Sequence, residues 1–260
     1  MMEKGAPKRV WGQMETRGGR GVFRQRLLLE AFTKRVPRGR VLDAGCGDGS
    51  LTMVLLERGY HVVAVDASEL AVARLEDKAR DIGKGMKLET CVAALERIEE
   101  PDESIEGIVC GEVLEHLEDD LAAVKEFFRT LKPGGICVVT VPADQRKWSF
   151  VDEWSGHFRR YTKDSLTELF TQAGFHVDII HYWGWPVLTV YDRFFFREWA
   201  RRHREKSGEE CTGLKSTRFF QSSLIANLMA TAFSLDRLFL GLPFGIGILG
   251  CFQKPEIRRP

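Results

Sequence analysis

The chain has 260 residues, of which 44% are hydrophobic and 29% charged, with a formal net charge of +1. That size suits one large domain or a core with an insertion, and the balance excludes a disordered tail, a collagen and a multi-span membrane protein. Charge is unevenly spread, at +8 over residues 1–40, −13 over 41–120 and +6 over 121–260. An acidic middle between basic ends is not the broad basic field of a polynucleotide binder, so nucleic acid is not expected as a partner.

Residues 1–20 read as a lid or a mobile arm, with Trp11 and Met14 isolated among Gly, Arg and Lys. Apolar residues at helical spacing then predict a helix over 22–36, stopped by Pro37 and Gly39. From Arg40 strands and helices alternate. Strands are expected at 40–44, 61–65, 86–92, 107–113, 135–141 and 176–180. Helices are expected at 50–58, 68–82, 119–131 and 162–173, the last with Thr162 as N-cap and Gly174 as stop. Such alternation predicts right-handed crossovers and a mostly parallel sheet covered on both faces, an α/β fold. Beyond Tyr182 the pattern changes to aromatics (Trp183, Trp185, Phe194–Phe196, Trp199), a cationic run from Arg201 to Lys206, an apolar stretch over 224–242 and a last strand over 246–252.

The expected organisation is a single domain over 1–260. It has an N-terminal lid and helix (1–38), a ligand-binding core (40–182), a helical insertion (184–244) and the last strand (246–252). The six cysteines (Cys46, Cys91, Cys110, Cys137, Cys211, Cys251) form no CxxC pair and sit mostly in apolar runs, which predicts reduced, buried thiols. With charges at Glu3, Lys4, Lys8 and Arg9 and no apolar h-region, the N-terminus does not read as a secretory signal. A cytoplasmic location is therefore expected.

The most informative stretch is Val41-Leu42-Asp43-Ala44-Gly45-Cys46-Gly47-Asp48-Gly49-Ser50, an apolar strand running into a Gly-x-Gly-x-Gly loop that opens a helix. Glycines there let a ligand approach the backbone, and the helix start offers N–H groups. Asp66 ends the next strand 19 residues after Gly47, where a βαβ unit delivers a carboxylate to ribose hydroxyls. A dinucleotide fingerprint would want glycine at Ser50, and Asp43 would repel a pyrophosphate. A ligand carrying an ammonium and a sulfonium suits Asp43 better. The plainer alternative is that Asp43, Asp48 and Asp66 only cap turns.

These residues resemble the class I S-adenosylmethionine-dependent methyltransferases, especially the type-11 small-molecule group, over about 40–181. Val41–Gly49 is similar to the family's first motif, Asp66 to its ribose-binding acid, Ile108–Leu117 to the fourth-strand motif and Leu131–Gly135 to the turn into strand five. The resemblance implies a Rossmann-like sheet of seven strands, the last antiparallel, and S-adenosylmethionine as cofactor. It places Asp43, Gly45, Cys46, Gly47, Asp66, Ala67, Ala94, Leu95 and Glu112 around that cofactor. Ala94 stands where family members often carry an Asp that meets the adenine amino group, which leaves the adenine to backbone and apolar contacts.

The expected acceptor is a small, hydrophobic or lipid-like molecule methylated at oxygen. His116 and His157 are the acid/base candidates, with Arg160, Tyr161 and Trp11 at the acceptor. Glu112, Glu115 and His116 also resemble the Glu-x-x-Glu-His arrangement that binds a divalent ion in small-RNA 2′-O-methyltransferases. At helical spacing they could converge on magnesium, although the same letters occur in metal-free type-11 proteins. The insertion reads either as a cap completing the core, an acceptor pocket, or a helix on an anionic membrane surface. A nicotinamide oxidoreductase, a non-catalytic scaffold and a nucleic-acid methyltransferase, which would need a basic track, remain the alternatives.

Overall fold

A computed structural model describes residues 18–80, 86–198 and 223–256. In chain order the strands are β1 (Arg40–Ala44), β2 (His61–Asp66), β3 (Lys87–Val92), β4 (Ile105–Gly111), β5 (Leu131–Pro142), β6 (His176–Trp183) and β7 (Gly247–Gln253). The helices are α1 (Gly19–Thr33), α2 (Ser50–Glu57), α3 (Glu69–Arg80), α4 (Asp120–Thr130), α5 (Phe150–Ser155), α6 (Lys163–Gln172), α7 (Val187–Tyr191) and α8 (Ser223–Phe233). The seven strands form one sheet in the order β3-β2-β1-β4-β5-β7-β6, with β7 antiparallel to both neighbours and every other pairing parallel.

The chain leaves β1 toward one edge through β2 and β3, then crosses to β4 and builds the other half. Loops after β1 and β4 therefore diverge and open a crevice at the C-terminal ends of the strands, the usual ligand position in an open α/β sheet. Alternation along β1 shows why both faces are covered: Val41 packs with Phe23, Phe32 and Val109 on one face, and Leu42 with Phe127, Phe170 and Phe252 on the other. On the first face Phe23 lies edge-on to Trp183 and Phe233, with ring centroids 6.2 and 6.3 Å apart. Truncating such a fully buried ring to Ala costs about 3–5 kcal/mol.

The described part of the insertion locks onto α1. Asp192, in the π-helical turn Asp192–Phe196 that continues α7, pairs with Arg20 at 3.0 Å and Arg197 at 3.2 Å. Asp236 reaches across to accept the Val187 and Leu188 N–H groups, capping the start of α7. A Cβ on Gly19 would fall 2.4 Å from Met229 Cβ, so glycine permits the close α1–α8 crossing.

The structure differs from the sequence reading at several boundaries. β4 begins two residues earlier and ends at Gly111, because Glu112 turns to a positive φ of 59°. The Lys132–Gly135 turn is absorbed into a longer β5 that starts where α4 stops, with a register shift opposite Ile105–Gly107. α5 was not expected at all; Ser149 and Asp152 close a capping box at its start. Four cysteines are buried thiols and Cys91 is half-buried, while Cys211, Trp11 and the rest of the expected lid before Gly18 lie outside the described residues.

Candidate active site

The loop between β1 and α2 is wound around the end of β2. Gly45 and Cys46 donate their N–H groups to the Val65 carbonyl at 2.8 and 3.0 Å. Asp66 Oδ2 accepts from Gly47 N and Oδ1 from Ser68 N, both at 2.9 Å. Asp66 thus fixes the loop, and a carboxylate with about four lone-pair sites keeps capacity for ribose hydroxyls. Gly45 (φ 76°) backs onto Val113, whose Cγ2 would sit 2.5 Å from an added Cβ, whereas a Cβ on Gly47 (φ 53°) would meet nothing within 4 Å. Gly45 packs loop against loop; Gly47 faces open space.

Asp43 is buried in β1, with Thr52 donating its hydroxyl to Oδ2 at 2.6 Å. Burial, reinforced by the charges of Asp66 and Asp48 and opposed by the Thr52 hydrogen bond, pushes its carboxyl up to about 7. The Cys46 thiol is driven upward by burial and then by Asp43, so it is no nucleophile. Ala67 and Ala94 are exposed beyond the ends of β2 and β3, while the Leu95 side chain turns into the core. Thr52 was not foreseen, although it lies in the first turn of α2, nine residues after the buried Asp43.

Across the crevice, β4 ends in a left-handed turn at Glu112, whose N–H donates to Thr140 O at 2.8 Å. Arg24 of α1 approaches Glu112 Oε2 at 3.5 Å, while Oε1 is buried with no hydrogen-bond partner among the described residues. The segment Leu114–His116 is a single 3-10 turn. Glu112, Glu115 and His116 therefore do not share an α-helical face, and the expected convergence of those three is corrected. Instead Glu115, His116 and His157 each bring one ligand-capable atom within 4.8 Å of the others. The two imidazole rings meet edge to face, centroids 4.6 Å apart.

Glu115 is fully buried, and neither carboxylate oxygen has a hydrogen-bond partner among the described residues. Burial first, then the nearby Glu112 charge, raises its pKa well above the ordinary carboxylate range. His157 Nδ1 lies 2.9 Å from Asp152 Oδ1, and His116 Nδ1 lies 3.4 Å from the Gly156 carbonyl. Both acceptors favour an Nδ1–H tautomer, which leaves a lone pair on Nε2. Asp152 is itself clasped by Arg160 at 2.7 and 2.9 Å and by Ser149 N at 2.8 Å. Burial opposes its ionisation, yet the His157 and Arg160 hydrogen bonds hold it below the usual carboxylate range.

Two expectations are corrected here. Arg160 reaches the site through Asp152, not as an acceptor ligand. Tyr161 is buried, and its hydroxyl donates to Asp120 Oδ2 at 2.7 Å beneath α4. Asp152 and Arg24 escaped the sequence reading. The capping-box spacing of Ser149 and Asp152, five residues before His157, was a readable signal for the first; none exists for the second.

Seven strands with an antiparallel β7 next to β6, and a glycine loop at the switch point, define the class I methyltransferase architecture. The profile of the methyltransferase domain family matches residues 16–179, and the chain belongs to that family. S-adenosylmethionine is its cofactor. The crevice fits such a cation: Asp43, Asp66 and Glu112 supply acceptors, and the open side of Gly47 leaves room for a ligand. A ubiquinone biosynthesis O-methyltransferase of Idiomarina loihiensis is 38% identical over 123 residues, 46% of this chain and 49% of that relative. The matched region thus spans about half the length of that curated relative. Among solved structures, phosphoethanolamine N-methyltransferase 2 of Haemonchus contortus superposes with a TM-score of 0.62 at 16% identity, over 89% of this chain and 52% of that one. The [4+2]-cyclase SpnF superposes at 0.60 and 21% identity, over 89% and 81%. At such identities these two show the fold alone.

Proposed function

We propose that this methyltransferase acts on a hydroxyl oxygen of a small, hydrophobic acceptor seated over His116 and His157. The observation that carries the reading is the orientation of His157: Asp152 holds its Nδ1 side, so Nε2 is presented as a proton acceptor beside the crevice. When bound, S-adenosylmethionine supplies an activated methyl group on a sulfonium. Gly45, Cys46 and Gly47 would cradle the cofactor, Asp66 the ribose, Ala67, Ala94 and the backbone of Leu95 the adenine, and Asp43 and Glu112 the cationic methionine end. His157 Nε2 would receive the proton of the acceptor hydroxyl as that oxygen takes up the methyl group, leaving a neutral ether. Positioning contributes about 7–11 kcal/mol to such bimolecular displacements. The O-methyltransferase relative in ubiquinone biosynthesis supports oxygen as the acceptor atom.

A hydrophobic acceptor is supported by exposed apolar side chains on the insertion: Phe194 and Phe195 after α7, Leu224 and Leu228 on α8, then Leu238 and Phe244. Together with Arg193 and Arg197 they suit contact with an anionic membrane surface. No helix among the described residues is long and apolar enough to cross a membrane. The test is transfer of a labelled methyl group to a panel of hydroxylated and aminated acceptors, with products resolved by mass. Methyl ethers from hydrophobic hydroxyl compounds are expected; methylated amines alone would overturn the oxygen assignment. Sedimentation with phosphatidylglycerol vesicles tests the surface contact, and no pelleting removes it.

A further inference from the structure

We infer that the cavity between the loop after β5 and the turn into β7 is a binding site for a phosphate group. The cavity has a volume of about 270 Å³ and is walled by Arg146, Lys147, Thr162, Tyr182 and Gly245, beyond the ends of β5 and β6. None of the residues placed at the cofactor or around the two histidines lines it. Its wall holds a cation short of a partner. Lys147 is half-buried, and its ammonium, which carries three N–H donors, gives one to the Gly245 carbonyl. Among the described residues no carboxylate forms an ion pair with it. Burial lowers its pKa; the Asp144 charge works against that, and the charges of Arg160, Arg146 and Arg197 add to it.

A half-buried charge without a counter-ion is costly, and an anion in the cavity would both neutralise it and take its unused donors. Asp144, the one carboxylate of the wall, does not fill that role. Arg146 engages it at 3.0 and 3.2 Å and holds it below the usual carboxylate range. Cations reach this region from the loop after β5, from the insertion through Arg197, and from α6, where Lys163 stands over the Tyr182 ring at 5.0 Å from its centroid. Charges on three sides suit a phosphate, with oxygens pointing several ways, better than a planar carboxylate. The outer edge is apolar: Pro243 lines the cavity, and next to it the exposed Phe244 packs against Trp185 with ring centroids 5.7 Å apart. The phosphate could belong to a lipid headgroup whose chains lie on that edge, or to a soluble phosphorylated compound. The site goes beyond the methyl-transfer reading and does not rest on it.

The experiment is calorimetric titration of the full chain, without cofactor or acceptor, with glycerol phosphate and, separately, with monomeric dihexanoyl phosphatidylglycerol. Binding of one molecule at Lys147 is expected. Tighter binding of the lipid assigns the site to a headgroup; equal or tighter binding of glycerol phosphate assigns it to a soluble compound. Lys147→Gln should weaken binding by about 10–150-fold, the worth of a hydrogen bond to a charged group, and Lys147→Arg should retain most of it. Should Lys147→Gln fail to fold, acetylation of the unmodified protein, read by mass spectrometry, supplies the readout. Ligand should then protect Lys147 and leave exposed Lys125 reactive. Binding of neither probe, binding that survives Lys147→Gln in folded protein, or Lys147 left unprotected at saturation would overturn the inference. Because the sample contains neither cofactor nor acceptor, that outcome leaves the proposed methyl transfer standing.

Discussion

The loops after β1 and β4 face each other across the switch point of the sheet, yet they satisfy their carboxylates differently. Around the glycine loop each acid has a donor: Asp66 takes two backbone N–H groups, Asp48 takes Ser50, and Asp43 takes the Thr52 hydroxyl. After β4, Glu115 has none among the described residues, Glu112 has Arg24 at 3.5 Å, and the two histidines are aimed by groups from the α5 segment. The first loop is settled before any ligand arrives and selects by shape and charge. The second leaves the buried Glu115 carboxylate to the His116 imidazole, whose Nε2 lies 3.9 Å from Oε1.

The strongest way to break this contrast is to remove His157. On the proposed role His157→Ala lowers turnover by about 10²–10⁴-fold while cofactor affinity, measured by calorimetry, stays unchanged. Equal losses in both would merge the two loops into one function. Asp66→Ala should do the reverse, weakening cofactor binding by roughly 1.5–3 kcal/mol, about 10–150-fold in Kd. Unchanged affinity would remove Asp66 from the nucleoside site.

Asp43 sharpens the comparison through pH. Its carboxyl is raised from 3.8 to about 7 in the folded chain, first by burial. Between those values the native state binds more protons than the unfolded one, so this group's contribution to stability falls as pH rises. Binding a cation favours the ionised form, so cofactor affinity should rise with pH up to about 7. Below that point it should fall by up to about tenfold per unit. Asp43→Asn flattens both profiles, as chemical denaturation and calorimetry across pH 5–8 would show. A flat profile in the unmodified protein would separate Asp43 from the cationic end of the cofactor.

The same contrast explains what was legible in the sequence. The glycine loop is contiguous: strand, turn and helix start follow one another from Val41 to Ser50, and Asp66 returns one βαβ unit later. Its geometry is local, so spacing sufficed. The histidine cluster sets His116 against the Gly156 carbonyl, 40 residues on in sequence and next to His157, and depends on a short helix that no periodicity announces. Glu112, Glu115 and His116 would converge only at helical spacing; a positive φ at Glu112 and a 3-10 turn exclude it. Arg24 enters from α1, where packing alone decides which side chain points at β4.

The smallest effect tests the corrected role of Tyr161. Its hydroxyl lies against Asp120, which Arg159 also holds at 2.6 Å, and burial keeps the phenol protonated. Tyr161→Phe retains the ring that packs between β5 and α4 and deletes one hydrogen bond to a charged acceptor. Asp120 keeps its arginine, so the loss should fall near the lower end of such bonds, about 1–2 kcal/mol. In a chain of this size that lowers Tm by roughly 2–8 °C. Turnover and acceptor KM should stay as they were, because the hydroxyl points beneath α4 and not into the crevice. A raised KM with unaltered Tm would return Tyr161 to the acceptor wall and make the α5 segment a recognition loop as well as a support for His157.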